Sequence, residues 1–319
     1  MVQQLGNCNL MMKLATGEVV RGYRVDEFLG RGGFASCYRA IEEETGETVA
    51  LKVGHPSGGG RQVTRLLEVT SRRTPEGISP DELPGEAVFL GSDRARIDLF
   101  DDQEVRDLLA AEARTLAQVD SSQVVRLRGT FLDEERPFLV LDMVRGQTLR
   151  QKIRDLHGIH LNWFLSVVRS LIELKESEAL DFHGDLKPEN LIVKPSGKVV
   201  MLDPALRTNE HGAITTTPHY NPLLLQDSKA DVTAIGIMIY EILTGTLPFD
   251  EVPWEFAGLP RGGETTRLSL SFFYSYTPPQ VMNPKTPPEL ERMVYRCITV
   301  PDYGLEELRE DLEDFIGRA

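Results

Sequence analysis

His183-Gly184-Asp185-Leu186-Lys187-Pro188-Glu189-Asn190 runs directly into the apolar triplet Leu191-Ile192-Val193. A second short apolar run, Val199-Val200-Met201-Leu202, ends at Asp203. Asp185, Asn190 and Asp203 are hard-oxygen groups at the ends of neighbouring short strands. That arrangement suits a general base beside a magnesium–phosphate site. Lys187 is placed to neutralise phosphate charge in a transition state. Any one of these residues could decorate a loop; the set together points to chemistry.

Upstream, the sequence reads as strands: Tyr23 to Gly30, Ala35 to Glu42, residues 48–53, Val124 to Phe131 and Pro137 to Met143. Alternation and flanking turn residues support them. Gly30, Gly32 and Gly33 lie between the first two. Glycines there let the backbone bend closely over a ligand and expose N–H groups to phosphate. A strand follows the cluster, which argues against a dinucleotide fold, where a helix would follow.

Lys52 stands inside Val49-Ala50-Leu51-Lys52-Val53, where a lysine is costly unless paired or on a polar face. A helix expected from about Asp102 to Val119 carries the apolar stripe Val105, Leu108, Leu109, Leu116 and Val119. Glu112 falls on the same stripe, and a buried carboxylate needs a cation, for which Lys52 is the natural candidate.

Beyond Gly146 the pattern turns helical: Leu149 to Leu156, Leu161 to Ser177, Ser228 to Leu243, Pro288 to Cys297 and Leu305 to Arg318. The expected fold class is α+β, with a small β-rich lobe before a larger helical one. Residues 1–22 form an N-terminal extension, 23–144 the first lobe and 145–319 the second. Residues 54–101 hold Gly58-Gly59-Gly60 and then Pro75, Pro80 and Pro84 within a mixed-charge run, and read as a surface insertion.

The 319 residues include 49 acidic against 35 basic side chains, a net charge of -14. A polyanion is a poor partner for nucleic acid or acidic lipid. Apolar residues at 41% and charged residues at 26% are an ordinary globular mix. Cys8, Cys37 and Cys297 lack metal-ligand spacing and read as free thiols. No apolar run is long enough to span a membrane and no secretion signal is visible, so a soluble cytoplasmic protein is expected.

In this order the motifs resemble those of eukaryotic-type Ser/Thr protein kinases, from about residue 23 to 319. The resemblance implies a bilobal fold that transfers the γ-phosphate of ATP, held with Mg2+ between the lobes, to Ser/Thr hydroxyls of a protein substrate. Lys52 would hold the α- and β-phosphates, oriented by Glu112, and Asp185 would accept the hydroxyl proton. Asn190 and Asp203 would bind the metal. Ala50, Cys37 and Ile192 would enclose the adenine, with Asp142 to Val144 as the hinge. Lys187 and Thr217 match the serine/threonine-selective positions, and Asp231 matches the aspartate that braces the catalytic loop. In the family, the region holding Trp254, Phe256, Phe272, Phe273, Tyr274 and Tyr276 docks partners, so residues 254–276 are a candidate docking segment; padding of the helical lobe is the plainer reading.

Four departures stand out. Ala35 replaces the third loop glycine. Gly184 replaces the arginine that would meet a phosphorylated activation loop, so Thr215 and Thr216 are expected to be dispensable. Asp203-Pro204-Ala205 replaces Asp-Phe-Gly; Pro204 restricts both itself and Asp203 and is expected to lock the metal site rather than disable it. The usual Ala-Pro-Glu is blurred in Tyr220-Asn221-Pro222-Leu223-Leu224, and its arginine partner is missing from Cys297 to Leu305. Two alternatives stay open: a pseudokinase acting as a nucleotide- or partner-binding module, and a small-molecule phosphotransferase of the aminoglycoside or choline type, which shares His-Gly-Asp.

Overall fold

A computed structural model describes residues 14–55, 63–66, 87–90, 93–98, 102–155, 160–204, 216–217, 219–222, 225–248 and 276–318. The chain divides into two compact units. The first reaches to Gln118 and resumes over Val125–Met143; the second takes Val119–Val124 and then runs on from Val144.

In the first unit, strands β1 (Val19–Val20), β2 (Tyr23–Arg31), β3 (Ala35–Glu42), β4 (Thr48–Gly54), β8 (Leu127–Asp133) and β9 (Arg136–Asp142) form one antiparallel sheet in the order β1-β2-β3-β4-β9-β8. Alternating apolar residues bury one face, where Val25, Tyr38, Leu51, Val53, Phe138 and Val140 make the core. The 1–22 extension is in part structural: β1 pairs with β2, and Leu14 and Val20 join this core. The last strand pair begins later than the sequence suggests. Pairing with β9 starts at Leu127, while Val124 bridges Met201 in the second unit.

The expected insertion is not all loop. Strands β5 (Val63–Leu66), β6 (Ala87–Leu90) and β7 (Asp93–Asp98) form a separate antiparallel sheet, β5-β7-β6. Helix α1 (Asp102–Gln118) follows, with acidic residues in its first turn, where the helix dipole favours them. It lies close against β4: a Cβ on Gly54 would sit 2.7 Å from Val105 Cγ1. Only glycine allows that approach.

The second unit is mostly helical: α2 (Leu149–Arg154), α3 (Leu161–Glu176), α4 (Ser228–Thr244), α5 (Pro279–Met282), α6 (Pro288–Thr299) and α7 (Leu305–Arg318). Strands β10 (Gln147–Thr148), β11 (Leu191–Val193) and β12 (Val199–Met201) form a small antiparallel sheet. Helix α4 is buried on almost every side, so it reads as apolar throughout rather than as a stripe. Asp227 caps its start by accepting the Lys229 N–H at 2.8 Å, and Gly245 ends it at φ 77°. No helix among the described residues is long and apolar enough to cross a membrane.

The ion pair whose two halves the sequence lacks gives way to two other sets of contacts. Arg150 on α2 pairs with Glu189 at 2.7 Å and with Glu241 on α4, and it donates to the Tyr220 hydroxyl, which donates to Glu241 at 2.8 Å. Burial alone would lower the Arg150 pKa; its carboxylate hydrogen bonds raise it instead. Lys229 takes over the turn between α6 and α7. Its ammonium donates to the carbonyls of Cys297 (2.9 Å), Val300 (2.6 Å) and Tyr303 (3.2 Å), bracing a turn that has no arginine of its own.

Candidate active site

The first unit sets Lys52 and Glu112 together. Lys52 lies mid-strand on β4, opposite Cys37 on β3 and Leu139 on β9. Glu112 lies on the buried stripe of α1. Lys52 Nζ donates to both Glu112 carboxylate oxygens at 2.8 Å, with side-chain exposures of 6% and 0%. Phe34 lies over the ammonium, 5.5 Å from ring centroid to Nζ.

Between β2 and β3 the glycine turn closes by a hydrogen bond from the Gly32 N–H to the Ala35 carbonyl at 2.8 Å. A Cβ on Gly30 would meet nothing within 4 Å. Packing therefore does not require glycine there, and open backbone is what the approach of a ligand needs. A register shift in the β2–β3 pairing lies between Phe28 and Gly30, and Gly30 pairs with Cys37. Ala50 pairs with Leu141 on β9. The unit boundary falls between Met143 and Val144. Asp142 has a structural duty: burial would raise its pKa, but hydrogen bonds from Arg128 (2.6 Å) and Arg126 (3.1 Å) hold it below the usual carboxylate range.

The second unit builds a cage around Asp185. Its Oδ2 accepts from Lys187 Nζ at 2.7 Å and from Asn190 Nδ2 at 3.2 Å. Its Oδ1 is buried and has no hydrogen-bond partner. Lys187 also donates to the Thr217 hydroxyl at 2.8 Å. The Asn190 amide nitrogen donates to the Asp185 carbonyl at 2.9 Å. Its carbonyl oxygen, on the other branch of the same planar amide, is left as an acceptor. The Leu202 N–H donates to the Asn190 backbone carbonyl at 2.8 Å, so the chain leaving β12 delivers Asp203 next to Asn190. Ile192 is half-buried in β11, opposite Val200.

Asp231 holds this loop from beneath. Its carboxylate, 0% exposed, accepts the His183 and Gly184 N–H groups at 2.7 Å each. Burial pushes its pKa up to about 7, against those two hydrogen bonds, which lower it. His183 is also buried, and burial lowers its pKa. Its Nε2 lies 2.8 Å from the Leu202 carbonyl, which can only accept, so that nitrogen carries the proton. Nδ1 is then free to accept the Asp185 N–H at 3.4 Å.

Asp203 adopts φ 52°, the left-handed region, directly before Pro204. A residue preceding proline is normally held to extended conformations, so strain of about 1–3 kcal/mol is maintained here by the surroundings. Asn190 and Asp203 fit a magnesium ion: two hard oxygens from neighbouring backbone segments, leaving the remaining positions for water and phosphate. No cluster of three His, Cys, Asp or Glu that could hold a metal ion exists among the described residues.

Thr216 was not expected to matter, yet its hydroxyl donates to the Gly184 carbonyl at 2.8 Å. Thr215, Ala205, Trp254, Phe256, Phe272, Phe273 and Tyr274 lie outside the described residues; Tyr276 packs against Tyr240 (5.9 Å) and Tyr295 (6.1 Å). Asn221, Arg150 and Lys229 also escaped the sequence reading. Lys229 at least follows a helix cap and sits beside the apolar run of α4, a position where a lysine needs carbonyl partners.

Comparison with known proteins agrees with this geometry. Residues 97–256 match the family model described as protein kinase domain. Over 243 residues the chain is 24% identical to the serine/threonine-protein kinase PrkC of Bacillus subtilis (strain 168), covering 70% of this chain and 35% of that protein. Over 244 residues it is 25% identical to the serine/threonine-protein kinase AtPK1/AtPK6 of Arabidopsis thaliana, covering 71% of this chain and 43% of the relative. The chain thus spans less than half the length of these curated relatives. The solved structure of PpkA-294 in its apo form superposes with a TM-score of 0.63 at 18% identity, over 94% of this chain and 99% of that one. That likeness shows a shared fold.

Proposed function

Because the chain belongs to the protein kinase domain family, we propose that it transfers the γ-phosphate of Mg-ATP to serine or threonine hydroxyls of a protein substrate. The observation that carries this is the state of Asp185. One carboxylate oxygen is fixed by Lys187 and Asn190, and the other is buried with no hydrogen-bond partner. An acceptor oxygen that the cage leaves unspent is what a hydroxyl proton needs.

The other residues divide the remaining work. Lys52, held by Glu112, is the cation for the α- and β-phosphates. Asn190 and Asp203 are the oxygens that would hold magnesium, and the bound metal would neutralise charge on the phosphates. Lys187 sits against Asp185 and Thr217, where it can follow negative charge from the base to the transferred group. Gly30, Gly32 and Gly33 offer backbone N–H groups to phosphate. Cys37, Ala50, Val144 and Ile192 are the apolar candidates for the adenine, with Asp142 as the hinge residue whose side chain is already committed.

The test is transfer of labelled γ-phosphate to a generic protein substrate, together with melting in the presence of Mg-ATP. Ligand that binds only the folded state stabilises it by about 2.7 kcal/mol at a hundredfold excess over Kd. A rise in melting temperature with transfer is the expected result. A rise without transfer would leave the nucleotide-binding pseudokinase suggested by Pro204. Neither a rise nor transfer would remove the nucleotide assignment.

A further inference from the structure

Gly184 takes φ 75° in a buried stretch, and both of its backbone polar groups are used. Its N–H goes down to Asp231, and its carbonyl accepts the Thr216 hydroxyl. Asn221, 3% exposed, completes the contact from the other side. Its amide nitrogen donates to Thr216 Oγ1 at 3.4 Å and to the Leu225 carbonyl at 3.0 Å, while its oxygen accepts the Leu225 N–H at 2.9 Å. The next residue, Thr217, receives Lys187. Two consecutive threonines therefore grip the catalytic loop on either side of Asp185, one at the carbonyl before it and one through the lysine after it.

We infer that Thr216 is a positioning residue for the protein substrate. It pins residues 216–222 to the catalytic loop through an uncharged hydroxyl–carbonyl contact, and Asn221 orients that hydroxyl. The inference rests on Asp185 being the catalytic base, since the pin matters by fixing the segment's register relative to that carboxylate. The physical logic follows from Gly184. A glycine has no side chain with which to reach a neighbouring segment, so the contact must come from the segment toward the glycine's backbone. Threonine at 216 provides that donor. The pin is permanent: it needs no added phosphate and no arginine.

The experiment compares Thr216→Val, which keeps the shape and removes the donor, with Thr216→Ser, which keeps the donor. One net hydrogen bond corresponds to a rate change of up to about tenfold. Thr216→Val is expected to lower kcat/KM for a protein substrate by about tenfold, while KM for ATP and the melting shift with Mg-ATP stay within about twofold. Thr216→Ser is expected to stay within about threefold of wild type. Hydrogen exchange supplies a readout independent of activity: the amides of Tyr220, Asn221 and Leu225 should exchange faster in the valine variant and at the wild-type rate in the serine variant. Wild-type kinetics and exchange in Thr216→Val would overturn the inference. So would a serine variant as impaired as the valine one, because the lost property would then be the methyl packing. If wild type itself transfers no phosphate, the assignment of Asp185 fails separately, and the exchange experiment alone decides whether the pin exists.

Discussion

Asp185→Asn is expected to lower phosphotransfer by about a thousandfold, roughly 4 kcal/mol of barrier, within the range that general-base catalysis supplies. Asparagine has the same shape, and its oxygen can still accept from Lys187 and Asn190 in place of Oδ2. Its amide nitrogen then occupies the position of Oδ1, the atom with no hydrogen-bond partner. A donor replaces an acceptor at the one point where a proton must arrive. Lys52, Glu112, Asn190 and Asp203 are untouched, so the melting shift with Mg-ATP should persist. Single-turnover transfer and calorimetry on the same preparation check both halves. Transfer at the wild-type rate would end the assignment of Asp185.

Glu112→Ala is expected to destabilise the first unit by about 3–5 kcal/mol, because it leaves a lysine that is 6% exposed without its carboxylate. That is a large share of the ~5–15 kcal/mol that holds a typical domain together. Removing both charges in Lys52→Met with Glu112→Leu has the opposite character. Buried pairs replaced by apolar residues of similar volume are often neutral or more stable, so the double variant should recover most of the stability. It should nevertheless transfer far less phosphate, since the side-chain cation for the α- and β-phosphates is gone. Denaturant titration of the three variants beside a transfer assay separates the roles. A double variant as unstable as Glu112→Ala would mean that the loss comes from packing around α1 and not from the broken ion pair.

The residues that could be foreseen are those whose position is fixed by chain periodicity or by a compact motif. Lys52 interrupts an apolar strand and Glu112 an apolar helical stripe, so each announces a buried charge, and the two pair across 60 residues. The span from His183 to Asn190 is short enough that its contacts are local. Strands β3 and β11 and helix α7 begin and end where alternation and apolar spacing put them. What remained hidden depends on tertiary placement alone. Arg150, Glu189, Tyr220 and Glu241 are spread over 91 residues and share no period. Lys229 replaces a missing arginine from a different helix, so searching the expected turn for the partner finds nothing. The sheet of β5, β6 and β7 was obscured by the glycines and prolines around its strands, which mimic a loop. Thr216 reads as dispensable in the sequence, because its bond to a backbone carbonyl leaves no mark there.

Asp203 sets a limit on how this chain can change over generations. Its backbone lies at φ 52°, where side chains other than those of asparagine and aspartate rarely settle, and the ring of Pro204 narrows the choice further. Most replacements would be rejected for the backbone before their chemistry was ever tested. Glycine and asparagine both tolerate the conformation and are each one base away in the genetic code, but only asparagine also preserves the shape. If Asp203 holds the metal as proposed, a descendant that weakened the site by shedding its charge would arrive by way of asparagine, with its backbone unaltered. Between the full-strength copy and the weakened one, the visible difference would be a single atom on one side chain.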